Sequence, residues 1–502
     1  QYPPFWASNL YGGYGSPIFL FYAPLFMLVA SAFAAVFDSI AWGATTTLLL
    51  FTACAAYCMV RMVRSALDDN DILSHAAARI AAYLYVLNPY LIGDKLLRNA
   101  NAEFTALCVA PLAFWGLFAV RSMPRRGAVL LAAGVGLTTL AHNLMALVVV
   151  TLLVLAALLL YPPRSERSRF LYVCGGIALG LLMSAFFWLP ALLLRVQVQL
   201  EQMTTGVSDF HHHFPPLETL FAYEFYSIGW WPLVVLTAAL IFIRRKPLER
   251  HLRVLAYASA GAAIVLVALQ LQVSTWVWEH VPMLPLFQFP WRMMGPLALV
   301  IAILGALLFF QFARGWGNTK LVTAELAVLA LCIANALPQL DKYRPLTADT
   351  VQVLPDKLAA ATIRDAAAPA TVLDEYLVKG ASAATAEQFR ATQDPILDSD
   401  PPVHVRVRIN TSGYAVFDFI ASEPATLHLA RWAFPVWQAT VNDKPVPIET
   451  GRLQNVDIRV PAGRGEVALT LHPPALRVLG LTISLLGLLL WLALIFFNRN
   501  PA

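Results

Sequence analysis

Charge is what this chain has least of. Only 13% of its 502 residues are Asp, Glu, Lys or Arg, against 59% hydrophobic, and the mean hydropathy is +0.64. So few charges exclude an ordinary soluble surface, and a bilayer is the expected solvent. Cysteine is scarce as well. All five (Cys54, Cys58, Cys108, Cys174 and Cys332) lie in or beside apolar runs, and the polar segment 338–475 has none. That excludes a disulfide framework, and Cys54 with Cys58, one helical turn apart, reads as packing. The beginning lacks a Met, a basic n-region and a cleavage site, so the chain is expected to be a fragment whose start lies upstream of Gln1. No acid occurs before Asp38 and no Lys or Arg before Arg61. No convincing internal repeat is found, which argues against a repeat-built transporter.

The basic residues that are present cluster in alternate connections. Arg61, Arg64 and Arg79 form one group, Arg121, Arg125 and Arg126 the next, then Arg164, Arg167 and Arg169. Arg244, Arg245, Lys246, Arg250 and Arg253 follow, then Arg314 with Lys320, and Arg499. The positive-inside rule makes these connections cytoplasmic and the others external. Orientation thus accounts for the basic residues of the apolar part, and the net charge of +5 implies no nucleic acid.

The apolar runs predict about eleven crossings. They fall near 44–60, 76–90, 104–120, 127–142, 144–160, 170–193, 230–243, 254–270, 294–312, 321–337 and 476–497. Segment 338–475 changes period. Val403–Ile409, Tyr414–Ile420, Thr426–Arg431, Trp437–Val441, Asn455–Val460 and Glu466–Leu471 alternate, with turn residues between them, which predicts an external β-sandwich. The stretch 345–400 is weakly patterned and is expected to be partly irregular. The expected organisation is 1–37 as part of a first external loop with an interfacial helix, and 38–337 as a helical membrane domain. Residues 338–475 form the external β-rich domain, and 476–502 a last span with a short tail.

Five motifs in predicted external connections bear chemistry. Pro3-Pro4-Phe5-Trp6 through Tyr14-Gly15-Ser16-Pro17, leading to Phe21-Tyr22-Ala23-Pro24, suits a headgroup-level turn, or simply an aromatic belt. Asn88-Pro89-Tyr90 precedes Asp94, Lys95, Arg98, Asn99, Asn101 and Glu103, charges of both signs at a helix start. They fit an anionic head or a metal; the plainer account is a solvated loop with a capping Glu. His142-Asn143 ends a short span, where polar side chains face a cavity or a partner helix. Phe287-Gln288-Phe289-Pro290-Trp291-Arg292 offers a guanidinium for a phosphate, or a snorkelling anchor. His211-His212-His213, with Asp209, Glu218 and Glu224, reads as a solvated run in preference to a metal site. Glu325 reads as a snorkelling first-turn residue.

These residues carry a resemblance. Tyr14 through Leu25, Arg98-Asn99-Ala100-Asn101-Ala102-Glu103, His142-Asn143 and Phe289-Pro290-Trp291-Arg292 resemble the bacterial integral membrane family labelled 6-pyruvoyl-tetrahydropterin-synthase-related. Phe434 through Pro447, with Arg477 through Leu485, is similar to the ending of YfhO-like membrane proteins. Both groups resemble the GT-C superfamily of polyprenyl-phosphate-sugar glycosyltransferases. The pterin label itself finds no support in a His-x-His zinc pattern within a compact soluble fold.

The resemblance implies a first span and a primary catalytic acid upstream of Gln1, with Ile18–Phe37 along the external interface. It implies a bacterial inner-membrane enzyme, its large domain periplasmic, that moves a sugar from a polyprenyl-phosphate donor to a glycan or lipid acceptor. Glu103 or Asp94 would be the carboxylate, and Arg292 and Arg98 would face the phosphate. His142, Asn143, Tyr22 and Trp291 complete the expected substrate side. Trp432 and Trp437 are either stacking faces for a glycan or sandwich core. No cofactor is assigned and a divalent metal stays open; membrane lipid is an expected partner and nucleic acid is not. A lipid-intermediate flippase and a non-catalytic envelope scaffold stand as the other functional classes.

Overall fold

Backbone in hydrocarbon must satisfy its own hydrogen bonds, and each apolar run does so as a helix. The structure, a computed structural model, describes residues 5–8, 10–68, 71–219, 221, 227–245, 248–342, 374–382, 384–385, 394–411 and 413–496. Pro3-Pro4, Glu224, Arg499 and most of the stretch 345–400 lie outside the described residues. In chain order come α1 (Ile18–Phe21), α2 (Leu25–Phe37), α3 (Ile40–Leu67), α4 (Ile72–Val86) and α5 (Pro89–Leu96). Next are α6 (Asn101–Ala119), α7 (Pro124–Ala141), α8 (Asn143–Leu160), α9 (Arg167–Met183) and α10 (Ala185–Leu193). Then follow α11 (Trp231–Arg245), α12 (Arg250–Ala268), α13 (Thr275–His280), α14 (Met294–Phe312), α15 (Asn318–Lys342) and, after the strands, α16 (Ala475–Phe496).

Every expected crossing is thus helical. Among the described residues, seven helices are long and apolar enough to span by themselves, or eight if α9 and α10 count as one broken span. The expected number was larger because α4 and α11 are apolar but short, and α7 is diluted by Arg, Thr and Gly. Ile18–Phe37, expected as one interfacial stretch, is two helices parted at Tyr22-Ala23-Pro24.

The chain divides into two compact units. One comprises Ala23–Ala185, Val207–Arg344 and Ile483–Ala502. Its interior rods are α6, 94% enclosed by protein, and the stretch Pro290–Phe312, 89% enclosed, whereas α16 is only 17% enclosed. Helices apolar all round belong in such interior places. α6 lies against α7 at a distance that only glycine allows. A Cβ on Gly116 would strike the backbone nitrogen of Leu131, and one on Gly134 the backbone nitrogen of Ala113. Without a hydrophobic force between helices in lipid, such small-residue contacts do the packing. Gly116→Leu is expected to cost about 1–3 kcal/mol through overpacking. Thermal unfolding in detergent reads this, with Gly317→Leu, which enters open space, as the silent control.

Glu325, expected as a snorkelling first-turn residue, is held in an ion pair. Arg79 on α4 donates to it through Nε at 2.5 Å and Nη2 at 2.7 Å, and the Tyr83 hydroxyl adds a bond of 3.0 Å. It ties α15 to α4. The ion pair went unforeseen because the partner lies 246 residues earlier, and Glu325 stands beyond the first turn of α15.

The other unit comprises Gln1–Tyr22, Phe186–Gly206 and Pro345–Thr482. Its strands are β1 (Ile396–Asp400), β2 (His404–Asn410), β3 (Tyr414–Ala421), β4 (Ala425–Trp432), β5 (Trp437–Val441), β6 (Lys444–Val446), β7 (Glu449–Thr450), β8 (Asn455–Val460) and β9 (Gly463–Leu471). They form two antiparallel sheets, β1-β4-β8-β7 and β2-β3-β9-β5-β6. Asn442 and Asp443, both at positive φ, close the two-residue hairpin between β5 and β6, a position these side chains tolerate. Period-2 alternation puts Leu427, Ile458, Phe417, Val467 and Leu469 of the two sheets into one buried cluster. β1 arises within the stretch expected to be irregular.

Trp432 (0% exposed) and Trp437 (7%) lie in that cluster, so they are core and not exposed stacking faces. The aromatic-glycine motif joins them instead of forming a belt. Trp6 meets Trp437 edge-on with centroids 5.7 Å apart, Tyr14 packs on Trp432 at 4.3 Å, and the Trp432 amide donates to the Tyr14 carbonyl at 3.2 Å. Gly15 is required there, because a Cβ would occupy the Trp6 ring.

Candidate ion cluster at the start of helix α6

The cluster is assembled by a short helix and a tight reversal. Asn88 caps α5, its side-chain oxygen accepting from the Tyr90 amide at 2.9 Å, and Pro89 takes the first helical position, where a missing N–H costs nothing. The helix ends with the Leu97 and Arg98 amides on the Gly93 carbonyl. Asn99 then turns through a positive φ of 54°, a conformation Asn adopts more readily than most side chains. α6 starts two residues later with Glu103 in its first turn, where the helix dipole favours a carboxylate. Tyr90, Asp94, Arg98 and Glu103 therefore converge.

Glu103 is the hub. Its Oε1 accepts from the Tyr90 hydroxyl at 2.5 Å, and its Oε2 lies 3.2 Å from both Arg98 Nη1 and Arg292 Nε. Arg98 Nη1 also donates to Asp94 and, at 3.3 Å, to the Tyr90 oxygen. Arg292 Nη1 donates to the Phe287 carbonyl at 2.8 Å and to the Gln288 side chain at 3.3 Å. Two carboxylates and two guanidiniums thus compensate one another in a place where an unpaired charge would be costly.

An aromatic plate backs the cations. Phe289 and Trp291 stack at 4.9 Å, with Arg98 4.5 Å from the Trp291 centroid and Arg292 4.9 Å from that of Phe289. Asp94 and Glu103 side chains are enclosed, 0% and 1% exposed, while Arg98 and Arg292 keep 14% and 13%. Of the cluster's charged side chains, the two arginines are therefore the ones that keep exposure. Each guanidinium has five N–H donors, and those engaged here sit on Nη1, with Arg292 Nε beside Glu103. Asp94 Oδ2 is buried without a hydrogen-bond partner. Burial, and then the charge of Glu103, push the Asp94 carboxyl well above the usual carboxylate range, with both guanidiniums pulling the other way.

His142 ends α7 and caps α8, its Nδ1 accepting from the Met145 amide at 3.2 Å, within electrostatic reach of Glu103 and both guanidiniums. Asn143 is exposed and its oxygen accepts from the Leu144 amide at 2.9 Å; among the described residues it has no bond to the cluster. Tyr22 follows α1 in the unit that holds the sheets. His211 bridges Asp209 at 2.6 Å and Glu279 at 3.2 Å, and Asp209 followed by Glu279 hold its imidazole above its usual value. His213 meets Phe289 edge-on at 4.5 Å and so touches the aromatic plate, whereas His211 and His212 are exposed, as a solvated run requires. Among the described residues no three His, Cys, Asp or Glu side chains converge on a metal position.

Residues 19–342, which include this cluster, match the family described as 6-pyruvoyl-tetrahydropterin synthase related domain, a membrane protein. The chain belongs to this family. Two solved structures are similar to it: arabinofuranosyltransferase AftD from Mycobacteria, at 17% identity and TM-score 0.43 over 70% of this chain, and a mutant of AftD, at 18% and 0.42 over the same share. The chain spans about a quarter of the length of those structures, 25% and 26%. No curated protein matches it.

In this family member, the sequence named five of the six side chains at the centre of the cluster by type: Asp94, Arg98, Glu103, Trp291 and Arg292. The Tyr90 hydroxyl went unassigned, although Asn88-Pro89 marked the helix start that aims it. Gln288 and Phe287 stood in the motif that ends at Arg292 but were given no role, since that role depends on the positive φ of 63° at Gln288.

Proposed function

We propose that the protein is a GT-C-type membrane glycosyltransferase that takes a sugar from a polyprenyl-phosphate-linked donor on the external face. The observation that carries this is the pair of guanidiniums, fixed on one buried carboxylate and backed by an aromatic plate, on the only charged side chains of the cluster that keep more than 1% exposure. As the bond from the sugar to phosphate breaks, negative charge grows on the departing phosphate, and pre-placed guanidiniums stabilise it without reorganising. Glu103, saturated by three partners, is a positioning residue. Asp94, its side chain enclosed and one oxygen on Arg98, is a second positioning group, and the departing phosphate takes up the acceptor's proton. The short helices α4 and α11 and the less apolar α7 complete about eleven crossings with the others. The two sheets form a periplasmic sandwich that holds the glycan or lipid acceptor.

The test is sugar transfer from a polyprenyl-phosphate donor by reconstituted protein. Lys keeps the charge of Arg292 but not its planar fork, so Arg292→Lys is expected to lower turnover roughly ten- to a hundredfold, the equivalent of one charge-assisted bond of about 1.5–3 kcal/mol. Arg126→Lys, on an exposed first turn of α7, serves as control. Equal turnover in the two variants would leave Arg292 a membrane anchor.

A further inference from the structure

At the far end of α6 from the ion cluster lies a cavity of about 680 Å³. Four basic side chains line it: Arg121 just beyond α6, Arg169 in the first turn of α9, and Arg250 with His251 at the start of α12. One of these, Arg121, holds a donor, Nη1, buried without a hydrogen-bond partner, while His251 has a backbone partner in Ala66. Buried polar atoms are satisfied in more than nine cases in ten, so the unmatched guanidinium in a basic lining points to something that binds there. The acids of the lining do not fill that role. Glu166 is taken by Arg169 at 2.6 Å, and Glu249 approaches Nδ1 of His251 at 3.4 Å. Asp68 stands 3.9 Å from Arg121 Nε, and Arg250 has no ion pair among the described residues.

The remaining wall is apolar: Leu159 and Leu160 at the end of α8, and Val254 with Leu255 on α12. A bare inorganic anion would use the donors and leave that wall uncovered. A headgroup phosphate with the first methylenes of its chains would use both, and basic pockets between membrane helices are known to take such lipids.

We infer that this cavity binds the phosphate of an anionic phospholipid, held by Arg121, Arg250 and His251, with its glycerol end against Leu159, Leu160 and Leu255. The site is independent of what the ion cluster does. The experiment is thermal unfolding of the full chain in neutral detergent with phosphatidylglycerol, diacylglycerol or inorganic phosphate added. Phosphatidylglycerol is expected to raise the midpoint by roughly 2–4 °C. Arg121→Gln/Arg250→Gln is expected to abolish that rise and Arg126→Gln to keep it; the exposed single variant Arg250→Gln, which disturbs no buried contact, is expected to reduce it. No rise, an equal rise with diacylglycerol, or an unchanged rise in both cavity variants overturns the inference. The same rise with inorganic phosphate alone overturns the lipid as its source.

Discussion

Glu103→Gln is expected to cost about 3–5 kcal/mol of folding stability, because it leaves buried cations facing a neutral amide. Oε2 of Glu103 lies 3.2 Å from both Arg98 and Arg292, and Oε1 takes the Tyr90 hydroxyl, so one substitution disturbs three partners. Asp94 cannot take over, since one of its oxygens is already on Arg98 and its own charge is disfavoured by burial. Denaturant unfolding followed by tryptophan fluorescence measures this, as Trp291 stacks against the cations themselves. Removing Arg98 as well restores the balance of charge, so Glu103→Gln/Arg98→Gln should be more stable than the sum of the two single losses. Strict additivity, or a loss under about 0.5 kcal/mol for Glu103→Gln, would show that the cluster is not one network.

The largest effect on chemistry is expected from Arg98→Gln/Arg292→Gln. If each guanidinium gives one charge-assisted bond to the leaving phosphate, the pair supplies about 3–6 kcal/mol, roughly a hundred- to ten-thousandfold in turnover. The single variants should not add simply, because both cations lean on the same oxygen and losing one lets the other move. Turnover of the donor is measured alongside the binding of free polyprenyl phosphate. A fall in turnover with unchanged phosphate binding would place the guanidiniums away from the leaving group and remove the phosphate role.

The helices were legible because each apolar run had to close its own hydrogen bonds, and Trp437–Val441 and Asn455–Val460 stand as strands at the boundaries that alternation gave. The failures share a cause, which is that the partner is distant in sequence. Glu325 read as a snorkelling residue until Arg79 was placed beside it, and Trp6 and Tyr14 read as a headgroup-level turn or belt until the sheets closed on them. The site was legible where residues are near neighbours, as in Asp94, Arg98 and Glu103. That Arg292 would reach Glu103 was not, for nothing local relates the two.

α6 gives the cluster an unusual kind of support. Glu103 stands in its first turn and Gly116 near its last, roughly 20 Å apart along one helix with Pro111 between them. The hub of the charges is therefore clamped at its remote end by the tightest backbone approach described between two helices here. A screen for inactive variants should accordingly yield two groups of hits separated by most of a membrane's thickness. The remote group would consist of glycines with no chemistry of their own, whose only part is to keep the far carboxylate in line.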